Sequence, residues 1–172
     1  MPKIIILRGN SGSGKTTIAK ELQKNLERKT MLISQDTVRR EMLNVKGDKQ
    51  KIVKELLLNL ILFGKNNCDI VILEGILNSK KYIKLFKRIK EEFKDNIFAY
   101  YFDIPFEETL NRHSKRACAK EFGKEKMKEW WLEKDFMKII PEKLLGKELT
   151  IEEIVSLIIN DIKNSVEEKW IL

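Results

Sequence analysis

Cysteine, proline and histidine are scarce in this chain. Of its 172 residues, two are Cys, three are Pro and one is His. Cys68 and Cys118 build no disulfide framework and no paired metal-ligand spacing, so a reducing cytoplasm is the expected location. A single histidine, His113, argues against a histidine-based metal centre or nucleophile. It is expected on the surface. The N-terminal apolar run covers only residues 4–7, and no stretch approaches the ~18 apolar residues of a membrane span. There is no internal repeat, no Pro/Gly/Ser-rich linker and no low-complexity block. One domain over residues 1–172 is expected.

What is plentiful is apolar residues, at 42%, and charge, at 35%. The first suffices for a core. The net charge is +8, but only seven of the 34 cations are Arg. A basic balance admits nucleic acid or another anionic ligand. A Lys-dominated, Ile-rich composition reads more simply as a chain that uses Lys as its ordinary surface residue.

Four short apolar segments without strict alternation, at 4–7, 31–34, 70–74 and 97–103, read as parallel strands covered on both faces. A weaker edge strand is expected near 147–149. Helical patterns separate the strands at 15–28, 36–43 with 49–63, 79–93, and 106–121 with 124–136. A last helix over 151–168 opens with Thr150 and Glu153 in capping-box spacing. Alternating strands and helices predict a three-layer α/β/α domain with a mainly parallel sheet. Its functional residues should follow the carboxyl ends of the strands.

Gly9-Asn10-Ser11-Gly12-Ser13-Gly14-Lys15-Thr16 satisfies G-x-x-x-x-G-K-[ST] between the first strand and the first helix. The glycines allow successive N–H groups to turn inward on phosphate oxygens, and the following helix aims its positive end at them. Lys15 is expected on the β- and γ-phosphates of ATP, Thr16 on Mg²⁺ and Thr17 on the α-phosphate. The third strand ends in Glu74, where such folds hold Mg²⁺ or its water shell. The usual residue there is Asp, and Glu74 has a second reading as an acceptor contact. Gly75 suggests a tight turn or a close approach.

After the second strand comes Asp36-Thr37-Val38-Arg39-Arg40. Asp36 suits a helix cap and also a base that orients an acceptor hydroxyl. Arg39 shares its helix face and could grip an anionic or polar part of the acceptor, or make a surface ion pair with Glu41 or Asp48. Arg40 is expected to point away. Farther on, a lid spanning about residues 106–136 starts with Pro105 and carries Arg112 and Arg116 four apart, on one face. Arg116 is assigned to the ATP phosphates, and Arg112 to the phosphates or the adenine. Trp130 and Trp131 fall in the next predicted helix, where one of the pair is expected in the core.

Taken together, GNSGSGKTT at 9–17, S-x-D-x-x-R at 34–39 and R-H-S-K-R at 112–116 resemble a group of P-loop kinases. That group includes phage polynucleotide 5′-hydroxyl kinase, zeta toxins and chloramphenicol phosphotransferase. The resemblance spans about residues 3–136, and the chain is also similar to small bacterial proteins described only as kinases or as uridine-kinase-like. It implies a sheet order of 2-3-1-4-5, Asp36 as general base, Arg39 at the acceptor and Arg116 as the lid arginine. Polynucleotide kinases of RNA repair usually carry an attached phosphatase or ligase domain, and these residues contain none. The expected function is therefore ATP-dependent transfer of the γ-phosphoryl to a hydroxyl of a small molecule such as a nucleoside, metabolite or antibiotic. A polynucleotide 5′-hydroxyl acceptor and an NTP-binding switch are the alternatives.

Overall fold

The computed structural model describes residues 1–26, 29–46, 50–114 and 123–167. Five strands form one sheet: β1 (Lys3–Gly9), β2 (Thr30–Ser34), β3 (Ile70–Gly75), β4 (Ile97–Phe102) and β5 (Lys143–Leu145). Their order is β2-β3-β1-β4-β5, and every pairing is parallel. The helices are α1 (Lys15–Asn25), α2 (Gln35–Thr37, continuing as a π-helical stretch Val38–Met42), α3 (Gln50–Asn67), α4 (Ile83–Phe93), α5 (Phe106–Ser114), α6 (Lys124–Glu129) and α7 (Ile151–Glu167). This is the three-layer α/β/α fold of P-loop NTPases.

Apolar strands need cover on both faces, and alternate residues of β1 show how the cover divides. Ile4 and Ile6 pack with Val53, Leu57 and Ile61 of α3 and with Leu85, Phe86 and Ile89 of α4. Ile5 and Leu7 pack with Ile18 and Leu22 of α1 and with Ile154 and Ile158 of α7. Each such side chain contributes roughly 1.5–3 kcal/mol on leaving water. The predicted capping box forms at α7: Thr150 N donates to Glu153 Oε2 at 2.8 Å, and Glu153 N to Thr150 Oγ1 at 3.2 Å.

Several expected boundaries move, each for a tertiary reason. The edge strand lies at 143–145 rather than 147–149, because β4 fixes its register. Tyr100 stands beside Lys143 and Phe102 beside Leu145, which buries Leu145 against the α7 layer. Residues 147–148 form a turn instead. Helix α6 stops at Glu129 rather than running to 136, and Trp130 is its C-cap. The chain beyond is held by side chains from β1, the phosphate loop and β4, which outweigh helical periodicity. Helix α4 starts at Ile83, not residue 79, since Ser79 is bonded elsewhere and Asn78 Oδ1 accepts from the N–H groups of Lys80 and Lys81.

Candidate active site

Gly9, Gly12 and Gly14 all have positive φ, at 146°, 80° and 101°. Two of them also sit where a side chain has no room. A Cβ on Gly9 would lie 2.9 Å from Phe102 Cβ, and one on Gly12 would lie 2.6 Å from the Thr109 carbonyl oxygen. The loop therefore needs glycine for conformation and for packing against β4 and α5. It feeds into α1, whose first turn holds no acidic residue. The helix's positive end is left available to an anion.

Lys15 is buried in the loop, its Nζ donating to Asn10 O at 2.7 Å and Ser13 Oγ at 3.1 Å. The Thr16 hydroxyl donates to Glu74 Oε1 at 3.2 Å. Glu74 is only 3% exposed, at the end of β3. A hydroxyl and a carboxylate are hard oxygen donors of the kind Mg²⁺ takes in small number, the rest of its shell being water or phosphate. Among the described residues there is no group of three or more His, Cys, Asp or Glu placed to hold a metal ion. Thr17, in the first turn of α1, also lines a cavity of about 410 Å³ with Glu21, Asn25 and the start of α7. Arg112 reaches the loop from α5: Nη1 donates to Ser13 O at 3.2 Å, while Glu108 holds its Nε at 2.7 Å. Arg116 and Cys118 lie outside the described residues.

A cavity of about 560 Å³ opens between the loop and α2, lined by Ser11, Asp36, Arg39, Arg40, Tyr82 and Trp130 among others. Ser34, not Asp36, caps α2, its hydroxyl accepting from Thr37 N at 3.5 Å. Asp36 stands in the first turn with its side chain 64% exposed. Arg39 pairs with Asp36 at 2.9 Å rather than with Glu41, and Asp48 lies outside the described residues. Nor does Arg40 point away. Four residues on from Asp36, its Nε is 3.7 Å from the same carboxylate, as i,i+4 helix pairs are.

Gln35 and Tyr82 form the floor on the β3 side. Gln35 Nε2 donates to the Tyr82 hydroxyl at 2.7 Å, and its Oε1 accepts from Leu77 N at 3.2 Å. Gly75 makes this possible, because a Cβ there would stand 2.5 Å from Gln35 Oε1. The Lys54 ammonium sits 5.2 Å from the Tyr82 ring centroid. Burial raises the Tyr82 hydroxyl above its ordinary value, so it stays protonated through the neutral range.

Behind these walls is Arg8, the last side chain of β1 before the loop, with no exposed surface. Its guanidinium spends every donor. Nε binds Leu77 O at 2.9 Å, Nη1 binds both Glu142 oxygens at 2.8 and 3.0 Å, and Nη2 binds Asp135 O and Oδ2 at 3.0 and 2.8 Å. The rings of Phe86 and Tyr101 flank it at 5.4 and 5.7 Å. Burial pushes the Tyr101 hydroxyl up to about 12, and that neutral oxygen accepts from Asp135 N at 3.3 Å.

The sequence profile of the AAA domain family matches residues 4–131. The chain belongs to the AAA domain family. That span takes in the phosphate loop, Asp36, Glu74 and Arg112. The chain is similar in fold to a gluconokinase from Sinorhizobium meliloti 1021 (TM-score 0.66, 11% identity, 99% of this chain and 97% of that one). It is similar to the Mycobacterium tuberculosis APS kinase CysC in complex with AMPPNP and APS (TM-score 0.67, 17% identity, 92% and 96%). A third likeness is to the tunicamycin resistance protein of Deinococcus radiodurans (TM-score 0.67, 12% identity, 94% and 96%). No curated protein matches the sequence of this AAA domain. Among its described residues, no helix is long and apolar enough to cross a membrane.

In the AAA domain, Lys15, Thr16, Glu74 and Arg112 converge on the loop, while Asp36, Arg39 and Ser11 converge on the neighbouring cavity. Two expectations about aromatic and imidazole groups fail. His113 is only 5% exposed, on the inner face of α5. Neither Trp130 nor Trp131 is core. Trp130 is 43% exposed on the cavity wall, and Trp131 packs edge-on against Phe106 at 5.0 Å. Arg8, Gln35 and Tyr82 hold no defining position in any of the sequence motifs. Gln35 had a usable signal, since it directly follows the end of β2. Arg8 had one too, as the cation that ends an otherwise apolar strand.

Proposed function

We propose that this protein is an ATP-dependent phosphotransferase that moves the γ-phosphoryl group to a hydroxyl of a small molecule, such as a nucleoside, metabolite or antibiotic. The observation that supports this most is that Ser11 of the phosphate loop and Asp36 line one cavity. A donor on the loop and an acceptor at Asp36 would then share a space of about 560 Å³. That is the size of a small-molecule site rather than of a polymer track. The solved structures of similar fold with kinase names, among them the APS kinase with AMPPNP, agree with it.

In this reading the backbone N–H groups of residues 9–14 cradle the phosphates. Lys15 leaves Asn10 and Ser13 for the β- and γ-oxygens. Thr16 and Glu74 hold Mg²⁺ directly or through its water, and Thr17 reaches the α-phosphate. Bound there, Mg²⁺ would neutralise charge developing on the β- and γ-oxygens. Asp36 aligns the acceptor hydroxyl and takes its proton as the new P–O bond forms and the bond to the departing ADP breaks. Arg39, already on the Asp36 carboxylate, holds it toward the cavity and contacts the acceptor. Arg112 and Arg116 bring positive charge to the γ-phosphoryl from the lid. The site pattern supports placing the chain beside the polynucleotide kinase, zeta toxin and chloramphenicol phosphotransferase group. A cytoplasmic ATP supply suits the activity.

A screen of nucleosides, oligonucleotides, sugars and antibiotics with γ-labelled ATP and Mg²⁺ tests the proposal. It expects label on a small molecule, abolished by Asp36→Asn. Transfer only to oligonucleotides, falling steeply with salt, would favour the polynucleotide reading. Full transfer by Asp36→Asn would remove the base assignment.

A further inference from the structure

Asn10, the second residue of the phosphate loop, spends its side chain outside the loop. Its Nδ2 donates to Leu132 O at 2.8 Å, and Leu132 N donates to its Oδ1 at 2.9 Å. Both backbone groups of one residue on the cavity wall are thus held by one loop side chain, which is itself buried. The backbone of Asn10 has a different partner, for its carbonyl accepts from Lys15 Nζ at 2.7 Å. The wall is fastened again three residues farther on. Asp135 takes two bonds from Arg8 Nη2, and it takes Ser79 N at 2.8 Å and Ser79 Oγ at 2.5 Å. Leu132 at the first fastening and Trp130 between it and α6 both line the cavity with Asp36.

We propose that Asn10 is a positioning residue that couples occupancy of the phosphate loop to the tryptophan wall of the acceptor cavity. The proposal rests on the reading of the loop as an ATP site. A triphosphate competes with the Asn10 carbonyl for the Lys15 ammonium, so the loop backbone at Asn10 re-forms its contacts when ATP binds. The amide side chain carries that change directly to Leu132. Arg8, Asp135 and Ser79 hold the far end of the wall fixed, so the displacement falls on residues 130–132 rather than spreading down the chain. A change in the wall that follows from ATP must act back on ATP affinity by the same factor, since such coupling is reciprocal.

The tryptophans report it. In a Trp170→Phe background, which removes the third tryptophan of the sequence, MgATP is titrated while emission is recorded. Calorimetry on the same samples measures ATP binding independently. The expected result is an emission change that saturates with the calorimetric isotherm. Asn10→Ala should lose that change at ATP concentrations where calorimetry shows the loop filled. Ser79→Ala, which leaves the loop untouched, should diminish it, and this variant keeps the test open should Asn10→Ala fail to fold. An Asn10 that merely supports the fold would lower the melting temperature of Asn10→Ala and leave the full emission change. That outcome, or ATP binding without any emission change in the parent, overturns the coupling. Absence of ATP binding to the parent by calorimetry defeats the nucleotide reading itself and the coupling with it, and is recognised by that separate signal.

Discussion

The hydroxyl of Thr16 donates to Glu74 Oε1 at 3.2 Å, tying the first turn of α1 to the end of β3. Strand β3 is hydrogen-bonded to both β1 and β2, so Glu74 stands between the phosphate loop and Asp36 in the sheet. The carboxylate is nearly inaccessible, and its side-chain partner Thr16 is the residue that a P-loop uses toward Mg²⁺. If Glu74 orients the metal shell, Glu74→Gln should raise the Mg²⁺ concentration for half-maximal transfer by roughly 10–100-fold, the usual cost of losing an outer-shell partner. Magnesium titration at fixed ATP measures this. An unchanged half-maximal concentration would make Glu74 a structural strand-end acid.

Asp36 differs from Glu74 in being exposed, and among the described residues its ion pairs are with Arg39 and Arg40, three and four positions on. Because its side chain is 64% exposed and its ion pairs are surface pairs within one helix, its removal should cost little stability. Its loss as a base should lower kcat by ~10²–10⁴-fold. Asp36→Asn should therefore leave the urea midpoint within error and the ATP affinity nearly intact while transfer collapses. Parallel loss of ATP affinity would place Asp36 on the nucleotide instead.

Most of the fold could be read from the chain because its signals are local. Parallel strands buried on both faces appear as short apolar runs, and the loop motif marks where the first strand gives way to a helix. What escaped depends on distance along the chain. Arg8 meets Asp135 and Glu142 at separations of 127 and 134 residues, and Asn10 meets Leu132 at 122. No periodicity encodes such bonds. They also end α6 early and bring Trp130 to the cavity instead of the core. Strand β5 escaped for a related reason: two of its three residues are exposed, and its register is set by β4. Within the candidate site, the residues at strand ends were legible, whereas Tyr82 depends on a loop path that no motif announces.

Arg8 offers a test of the buried network itself. Arg8→Met keeps the length of the apolar stem but strands the carboxylates of Asp135 and Glu142. Glu142 is almost wholly buried and Asp135 only slightly exposed. Removing one partner of such a network typically costs 3–5 kcal/mol, much of it the price of the charges left behind, so a loss of about that size is expected from urea denaturation. Adding Asp135→Asn and Glu142→Gln to Arg8→Met should recover a substantial part of the loss. A triple variant no more stable than Arg8→Met alone would show that shape and hydrogen bonding, not charge compensation, set the cost.

The capping box of α7 predicts a stability change with pH. The Glu153 carboxylate lies below its ordinary value of 4.5, first because it accepts the Thr150 backbone N–H and then through the Thr150 side chain. A carboxylate whose folded pKa is depressed stabilises the fold above its unfolded pKa, and that contribution disappears as pH falls through the folded value. Glu153→Ala should therefore be destabilised relative to the parent at neutral pH. The charge-dependent part of that difference should begin to shrink as pH drops below 4.5, where the unfolded chain protonates, and be gone below the lower folded value. Thr150→Ala removes the other half of the box and should cost about 0.5–2 kcal/mol, with a smaller dependence on pH. Urea unfolding of all three proteins from neutral pH down into the acid range separates the contributions. A Glu153→Ala deficit that stays constant into acid would mean that the helix start is held by packing of Ile154 and Val155 rather than by the carboxylate.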